Sequence, residues 1–130
     1  MSKEDDLFKI GYFKLAKNAS KHSTYKIRVG AVISNKKPIA VGFNKKKSHP
    51  RFSNPEFNIH SCIHAEASAV INSGRIDLNN YIIYIYREKK NRVPANARPC
   101  KECLKLLKEV GIRKIYYSID EKPFYRMEKI

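Results

Sequence analysis

Two short fragments hold the residue types that do chemistry: His64-Ala65-Glu66 and Pro99-Cys100-Lys101-Glu102-Cys103. Together they offer an imidazole, two thiols and a spare carboxylate. Zinc takes nitrogen and thiolate ligands in tetrahedral geometry, and a catalytic zinc keeps three protein ligands with the fourth position open. His64, Cys100 and Cys103 form such a set, with Glu66 as the spare carboxylate. The competing reading is a structural zinc knot, which needs a fourth ligand and gives Glu66 no task. Cys62 is the nearby candidate for that ligand; otherwise it is a small buried residue.

Geometry restricts where these side chains can meet. Cys100 and Cys103 are three apart and share a helix face. At the start of a helix the dipole favours their thiolate forms. His64 and Glu66 are two apart, about 200° around a helix, so no lateral face holds both. They converge only on a centre lying off a helix N-terminus. Two helix N-termini are therefore expected to point at one metal.

The elements that must position them follow from pattern. Ser2 to about Ser20 reads as a helix. It has a capping pattern at Ser2 and Asp5, acids in its first turn, and Phe8, Tyr12, Leu15, Ala16 and Ala19 on one face. Arg28 to Ile33 and Ile39 to Phe43 read as strands joined by a turn over Ser34 to Pro38. Asn44 to His60 is a long polar loop, of the kind that often carries function. Cys62 to Ser73 reads as a helix capped by Ser61 and ended by Gly74. Tyr81 to Tyr86 is a buried strand, its aromatics belonging to the core. Arg87 to Arg98 is a second charged loop, and Cys100 to Val110 a helix ended by Gly111. Arg113 to Ile119 and Phe124 to Ile130 are the last strands. The four-residue link between them makes them antiparallel. The fold class is α/β: a three-layer α/β/α sandwich with a mixed five-stranded sheet in a single domain, residues 1–130.

The chain has 130 residues, 27 of them Lys or Arg and 12 Asp or Glu, for a net charge of +15. Such an excess suits polyanions: nucleic acid, or nucleotides through their phosphates. Lys45, Lys46 and Lys47 follow Asn44, and Arg87, Lys89, Lys90, Arg92 and Arg98 lie on the other loop. Both groups are candidates for phosphate contact. Lys101, Lys105 and Lys108 form a stripe along the third helix. His49 and His60 belong to the long loop as polar residues that can face substrate, and His22 to the surface. No apolar run approaches the roughly 20 residues that span a bilayer. MSKEDD lacks the order of a signal peptide, and three cysteines fit a reducing compartment. The expectation is a soluble cytoplasmic protein with no membrane partner.

H-x-E followed by P-C-x-x-C is the signature of zinc deaminases. On these residues the chain resembles the cytidine and deoxycytidylate deaminase superfamily. The order of elements, the Val29-Gly30-Ala31-Val32-Ile33 strand and the strand end Gly42-Phe43-Asn44 fit the same resemblance. It implies a cytidine-deaminase-like fold, Zn2+ on His64, Cys100 and Cys103, and Glu66 as the catalytic proton shuttle. It further implies that Asn44 contacts the sugar, that the backbone of Ala65 hydrogen-bonds the base, and that a homo-oligomer forms. Arg98 stands where many members carry a small or acidic residue, which suggests an added phosphate contact. The chain lacks a final helix after Ile119, an ending shared with members that act on free nucleosides.

The function implied is a hydrolase of cyclic amidine C–N bonds, converting a cytosine nucleotide or nucleoside to its uracil product and ammonia. The alternatives are an editor of cytosine or adenine in single-stranded DNA or RNA, tRNA included, and a nucleic-acid-binding module with an inert zinc site.

Overall fold

A computed structural model describes residues 10–23, 25, 27–45, 64–91 and 93–130. Their elements in chain order are α1 (Gly11–Ser20), β1 (Arg28–Asn35), β2 (Lys37–Phe43), α2 (Ala65–Ser73), β3 (Ile82–Glu88), β4 (Pro94–Ala95), α3 (Lys101–Glu109), β5 (Lys114–Ser118) and β6 (Tyr125–Lys129). The strands form one mixed sheet in the order β2-β1-β3-β5-β6, with β4 beside β3. β3 and β5 are parallel, joined through α3, and the other pairings are antiparallel, β5 with β6 included.

The sheet has six strands where the pattern predicts five. The additional strand, β4, falls in the segment expected to be a charged loop. It pairs Ala95 with Arg87 and Pro94 with Glu88, beyond the point where β5 leaves β3. Ser118 closes the gap between them. Its buried hydroxyl donates to the Ala95 carbonyl at 2.7 Å and accepts from the Arg87 N–H at 3.0 Å.

Helices cover both faces, as a three-layer sandwich requires. On one face, α2 and α3 pack Ala65, Ala69, Val70, Leu106 and Leu107 against Ala31, Ile33, Ile83, Ile85, Ile115 and Tyr117. On the other, α1 packs Phe13 and Ala16 against Val32, Tyr84, Tyr86 and Phe124. Alternate residues of β3 thus enter opposite cores, which explains its continuous apolar run. The α1 face differs from the periodic reading: Phe13 is fully buried and Leu15 is 37% exposed. Ser2, Asp5 and Phe8 lie outside the described residues.

Two glycines set how closely helices approach the sheet. A Cβ on Gly30 would lie 1.9 Å from the Ala16 carbonyl oxygen, and one on Gly42 would lie 2.3 Å from the Ala69 nitrogen. Both contacts are with backbone, so no side-chain adjustment relieves them. Gly42 holds the second helix, and everything mounted on its N-terminus, against the sheet.

The helix starts are later than the pattern predicts. His64 is extended (φ −70°, ψ 158°) and is the N-cap of α2, which begins at Ala65 rather than Cys62. Cys100 is likewise an extended N-cap (φ −69°, ψ 169°), with α3 beginning at Lys101. Gly74 ends α2 with φ 65°, the left-handed conformation expected of it. The hairpin between β1 and β2 is tighter than the expected turn: Asn35 pairs with Lys37 around Lys36, whose φ is 64°. Cys62, Ser61, Lys46, Lys47, His49, His60 and Arg92 lie outside the described residues.

Candidate active site

The N-termini of α2 and α3 meet near the C-terminal end of β3, where open α/β sheets usually place their ligands. His64 and Cys100 each occupy an N-cap, and Cys103 is the third residue of its helix. The N-cap and third-position side chains are neighbours in any helix, the same closeness that makes a capping box. Cys100 and Cys103 therefore come together by local geometry, and the packing of α3 beside α2 brings in the imidazole.

His64 Nδ1 lies 3.6 Å from Cys100 Sγ and 3.3 Å from Cys103 Sγ. All three ligand atoms lie within 4.8 Å of one another. Zinc bonds of about 2.3 Å to sulfur and about 2.0 Å to nitrogen at tetrahedral angles give nitrogen–sulfur edges of about 3.5 Å. The donor set and its spacing fit Zn2+, with Nδ1 as the nitrogen ligand. A fourth ligand does not join the cluster among the described residues.

The three groups are coupled through shared protons. Hydrogen bonds from Cys103 and then from His64 hold the Cys100 thiol down to about 3. The same contact, together with burial, pushes Cys103 up. His64 is raised, chiefly by its hydrogen bond with Cys100. The protons shared among these three groups are those a metal displaces.

Glu66 stands one residue into the same turn and is buried, 5% exposed. Burial raises its pKa; its own backbone N–H and the nearby His64 pull it partly back. A buried carboxyl group thus stands beside the His64, Cys100 and Cys103 cluster.

A cavity of about 330 Å3 opens over these residues, within the roughly 300–1,000 Å3 usual for small-molecule sites. Of the residues expected to touch substrate, Asn44, Ala65 and Arg98 all line it, as do His64, Glu66 and Cys100. Asn44 also ties the strand ends together. Its Oδ1 accepts from Val29 N–H at 3.0 Å and its Nδ2 donates to the Ile27 carbonyl at 2.9 Å. One amide N–H of Asn44 is left over from these two bonds. The Arg98 guanidinium donates to Glu128 through Nε at 3.0 Å and Nη2 at 3.3 Å.

Tyr25, Val29 and Asn96 also line the cavity, and sequence reasoning missed them. Asn96 accepts from the Arg98 N–H at 2.8 Å, a turn signature that its spacing from Arg98 could have suggested. Nothing local marks Tyr25 or Val29. Arg87 was expected near the pocket on charge grounds and lines it, its buried Nε without a partner among the described residues.

The description "Cytidine and deoxycytidylate deaminase zinc-binding region" belongs to the family that matches residues 6–119. The chain is a member of the cytidine and deoxycytidylate deaminase family. A curated relative, the "Probable deoxycytidylate deaminase" of Drosophila melanogaster, is 30% identical over 78% of this chain and 55% of its own length. The chain thus spans about half of that relative. Among solved structures, the dCMP deaminase of cyanophage S-TIM5 in apo form matches with a TM-score of 0.62 and 22% identity, covering 94% of this chain and 88% of its own. Cytidine deaminase from Burkholderia pseudomallei matches with a TM-score of 0.64 and 18% identity, covering 92% and 91%. These likenesses establish a cytidine-deaminase fold for this family member. Among the described residues, no helix is long and apolar enough to cross a membrane.

Proposed function

We propose that this deaminase family member hydrolyses the exocyclic amine of a cytosine nucleotide or nucleoside, giving the uracil compound and ammonia. The observation that carries the reading is the buried Glu66 carboxylate beside a three-ligand His64, Cys100 and Cys103 cluster at the wall of a nucleoside-sized cavity. Bound there, zinc supplies Lewis-acid activation of water near neutral pH.

The residues of the chain do the rest. Glu66 accepts a proton from the attacking water and passes it to the ring nitrogen, while oxygen bonds to the carbon bearing the amine. A second transfer through Glu66 protonates that amine. The carbon–nitrogen bond then breaks, the oxygen becomes a carbonyl, and ammonia leaves. The spare amide N–H of Asn44 serves the sugar, and the Ala65 backbone, at the first position of α2, serves the base.

A phosphorylated substrate is favoured over a bare nucleoside by two guanidinium groups, Arg87 and Arg98, on the cavity wall. The cyanophage enzyme is solved with dCMP and dUMP, a substrate and product pair of this chemistry. The test is a mass-shift assay with zinc-loaded protein on cytidine, deoxycytidine, both monophosphates, single-stranded oligonucleotides and a tRNA mixture. A gain of about one mass unit by a free cytosine compound, the exchange of NH2 for OH, supports the proposal. No conversion in any sample, with one zinc per chain, refutes it.

A further inference from the structure

A second cavity, of about 550 Å3, shares a wall with the first: Tyr25 lines both. Five cations line it, namely Lys17, Lys21, Arg28, Lys89 and Lys90. They come from three separate segments: α1 and its C-terminal cap, the first residue of β1, and the end of β3. The acidic balance is small. Glu88 lines the cleft opposite Arg28 across the β1–β3 ladder, and Lys89 pairs with Asp120 at 3.6 Å with both side chains half exposed.

The α1 dipole and the Lys89–Asp120 pair account for only part of this gathering. Lys17 and Lys21 offset the negative end of the α1 dipole, but Arg28, Lys89 and Lys90 have no such task. Like charges collected in a concave space repel one another and focus a positive field there. That field is offset by a chain of phosphates. A single phosphate occupies a fraction of a cleft larger than the nucleoside cavity itself. Tyr25, at the junction, offers a ring to a base next to the one in the pocket; stacking on aromatics beside a basic track is the usual way of holding single strands.

We propose that this cleft binds the sugar–phosphate backbone of a single-stranded nucleic acid and leads the strand past the mouth of the deaminase pocket. The direction relative to the pocket rests on the deaminase reading; the binding does not.

The test is fluorescence anisotropy of a labelled single-stranded DNA of about 20 nucleotides, titrated at several salt concentrations. Each phosphate contact on a single strand contributes about 0.7 to the log–log salt slope, so Lys21→Ala with Lys90→Ala lowers it by about 1.4. Affinity falls by about 25-fold near 0.1 M salt on the same basis. Lys105→Ala with Lys108→Ala, on the exposed side of α3, removes equal charge elsewhere and leaves both quantities near wild type. Turnover of dCMP by the Lys21/Lys90 variant stays within twofold of wild type.

The proposal is overturned if the strand does not bind. It is overturned if both double variants lose affinity equally, which would mean diffuse charge. It is overturned if dCMP turnover collapses with the cleft variant, which would make the cleft part of the monomer subsite. Binding that follows the predicted slopes while wild type fails to deaminate dCMP would sink the proposed activity and leave the cleft standing.

Discussion

Gly42→Ala is the perturbation that links the sheet to the chemistry most directly. The added methyl would sit 2.3 Å from the Ala69 nitrogen, 2.7 Å from the Ala65 carbonyl oxygen and 2.8 Å from the Ser68 carbonyl carbon. Non-bonded contact needs about 3.5 Å, so α2 must move off the sheet by roughly 1 Å. The backbone conformation at Gly42 is not a left-handed one, so the cost is steric alone. Overpacking of this kind costs about 1–3 kcal/mol. The displaced helix carries His64 at its cap and Glu66 in its first turn. A 1 Å misplacement at a reacting centre costs about 100-fold in rate. Urea denaturation gives the first number, and kcat/KM for dCMP with zinc content gives the second. Gly11→Ala is the control, since nothing lies within 4 Å of its Cβ, and both readouts should stay near wild type. A Gly42→Ala protein with wild-type midpoint and turnover would refute the reasoning. Lost stability with unchanged turnover would show that the shift does not reach the cluster.

Three further outcomes are expected. Glu66→Gln keeps the shape but not the proton carrier, so kcat falls by about 100- to 10,000-fold while zinc stays at one per chain by atomic emission; loss of zinc would make Glu66 a ligand. Cys103→Ala, or chelation of the wild type, removes zinc and turnover together. Zinc restores only the chelated protein, with melting raised by the equivalent of about 4 kcal/mol at a thousandfold excess over Kd. Burial, then the neighbouring Tyr116 and Tyr12, push Tyr84 up to about 12. The folded protein holds this proton more tightly than the unfolded chain, so the contribution to stability is complete below the ordinary tyrosine value and is lost as pH rises through about 12. Alkaline denaturation of Tyr84→Phe should lack that component, and an unchanged profile would contradict the assignment.

The parts of this molecule written in sequence are those in which neighbours along the chain are neighbours in space. Cys100 and Cys103 meet because an N-cap and its third following residue always do. The need for an off-axis centre for His64 and Glu66 follows from helix geometry in the same way. The third cysteine, Cys62, lies outside the described residues and keeps the alternatives given to it. β3 announces itself through an apolar run that serves two cores. β4 has no such signal: two residues carry no period, and their pairing depends on Ser118, more than twenty positions away. The burial of Phe13 and the exposure of Leu15 follow from how α1 sits over Tyr84 and Tyr86, which periodicity in α1 does not encode. The net charge was legible, but its concentration beside Tyr25 was not, because three distant segments build that cleft.

Arg98 shows how one residue changes meaning between the two levels. In sequence it is an unusual cation before Pro99, suggesting a phosphate contact. In the fold Arg98 lines the cavity, and its guanidinium grips Glu128 of β6 with two hydrogen bonds. The pair holds the Glu128 carboxyl below its ordinary range, so Glu128 stays charged and keeps its grip until the medium is well acidic. A guanidinium has five N–H donors, and the fork on Glu128 uses two of them. The fork fixes the guanidinium plane, so its remaining donors do not swing on a free side chain. Glu128 therefore acts on Arg98 in two opposed ways: it lowers the net positive field that would attract a phosphate, and it removes the rotamer entropy a free arginine would lose on binding one. Glu128→Gln separates them. If orientation dominates, KM for the monophosphate rises; if the field dominates, KM falls. In both cases turnover of the unphosphorylated nucleoside is unaffected.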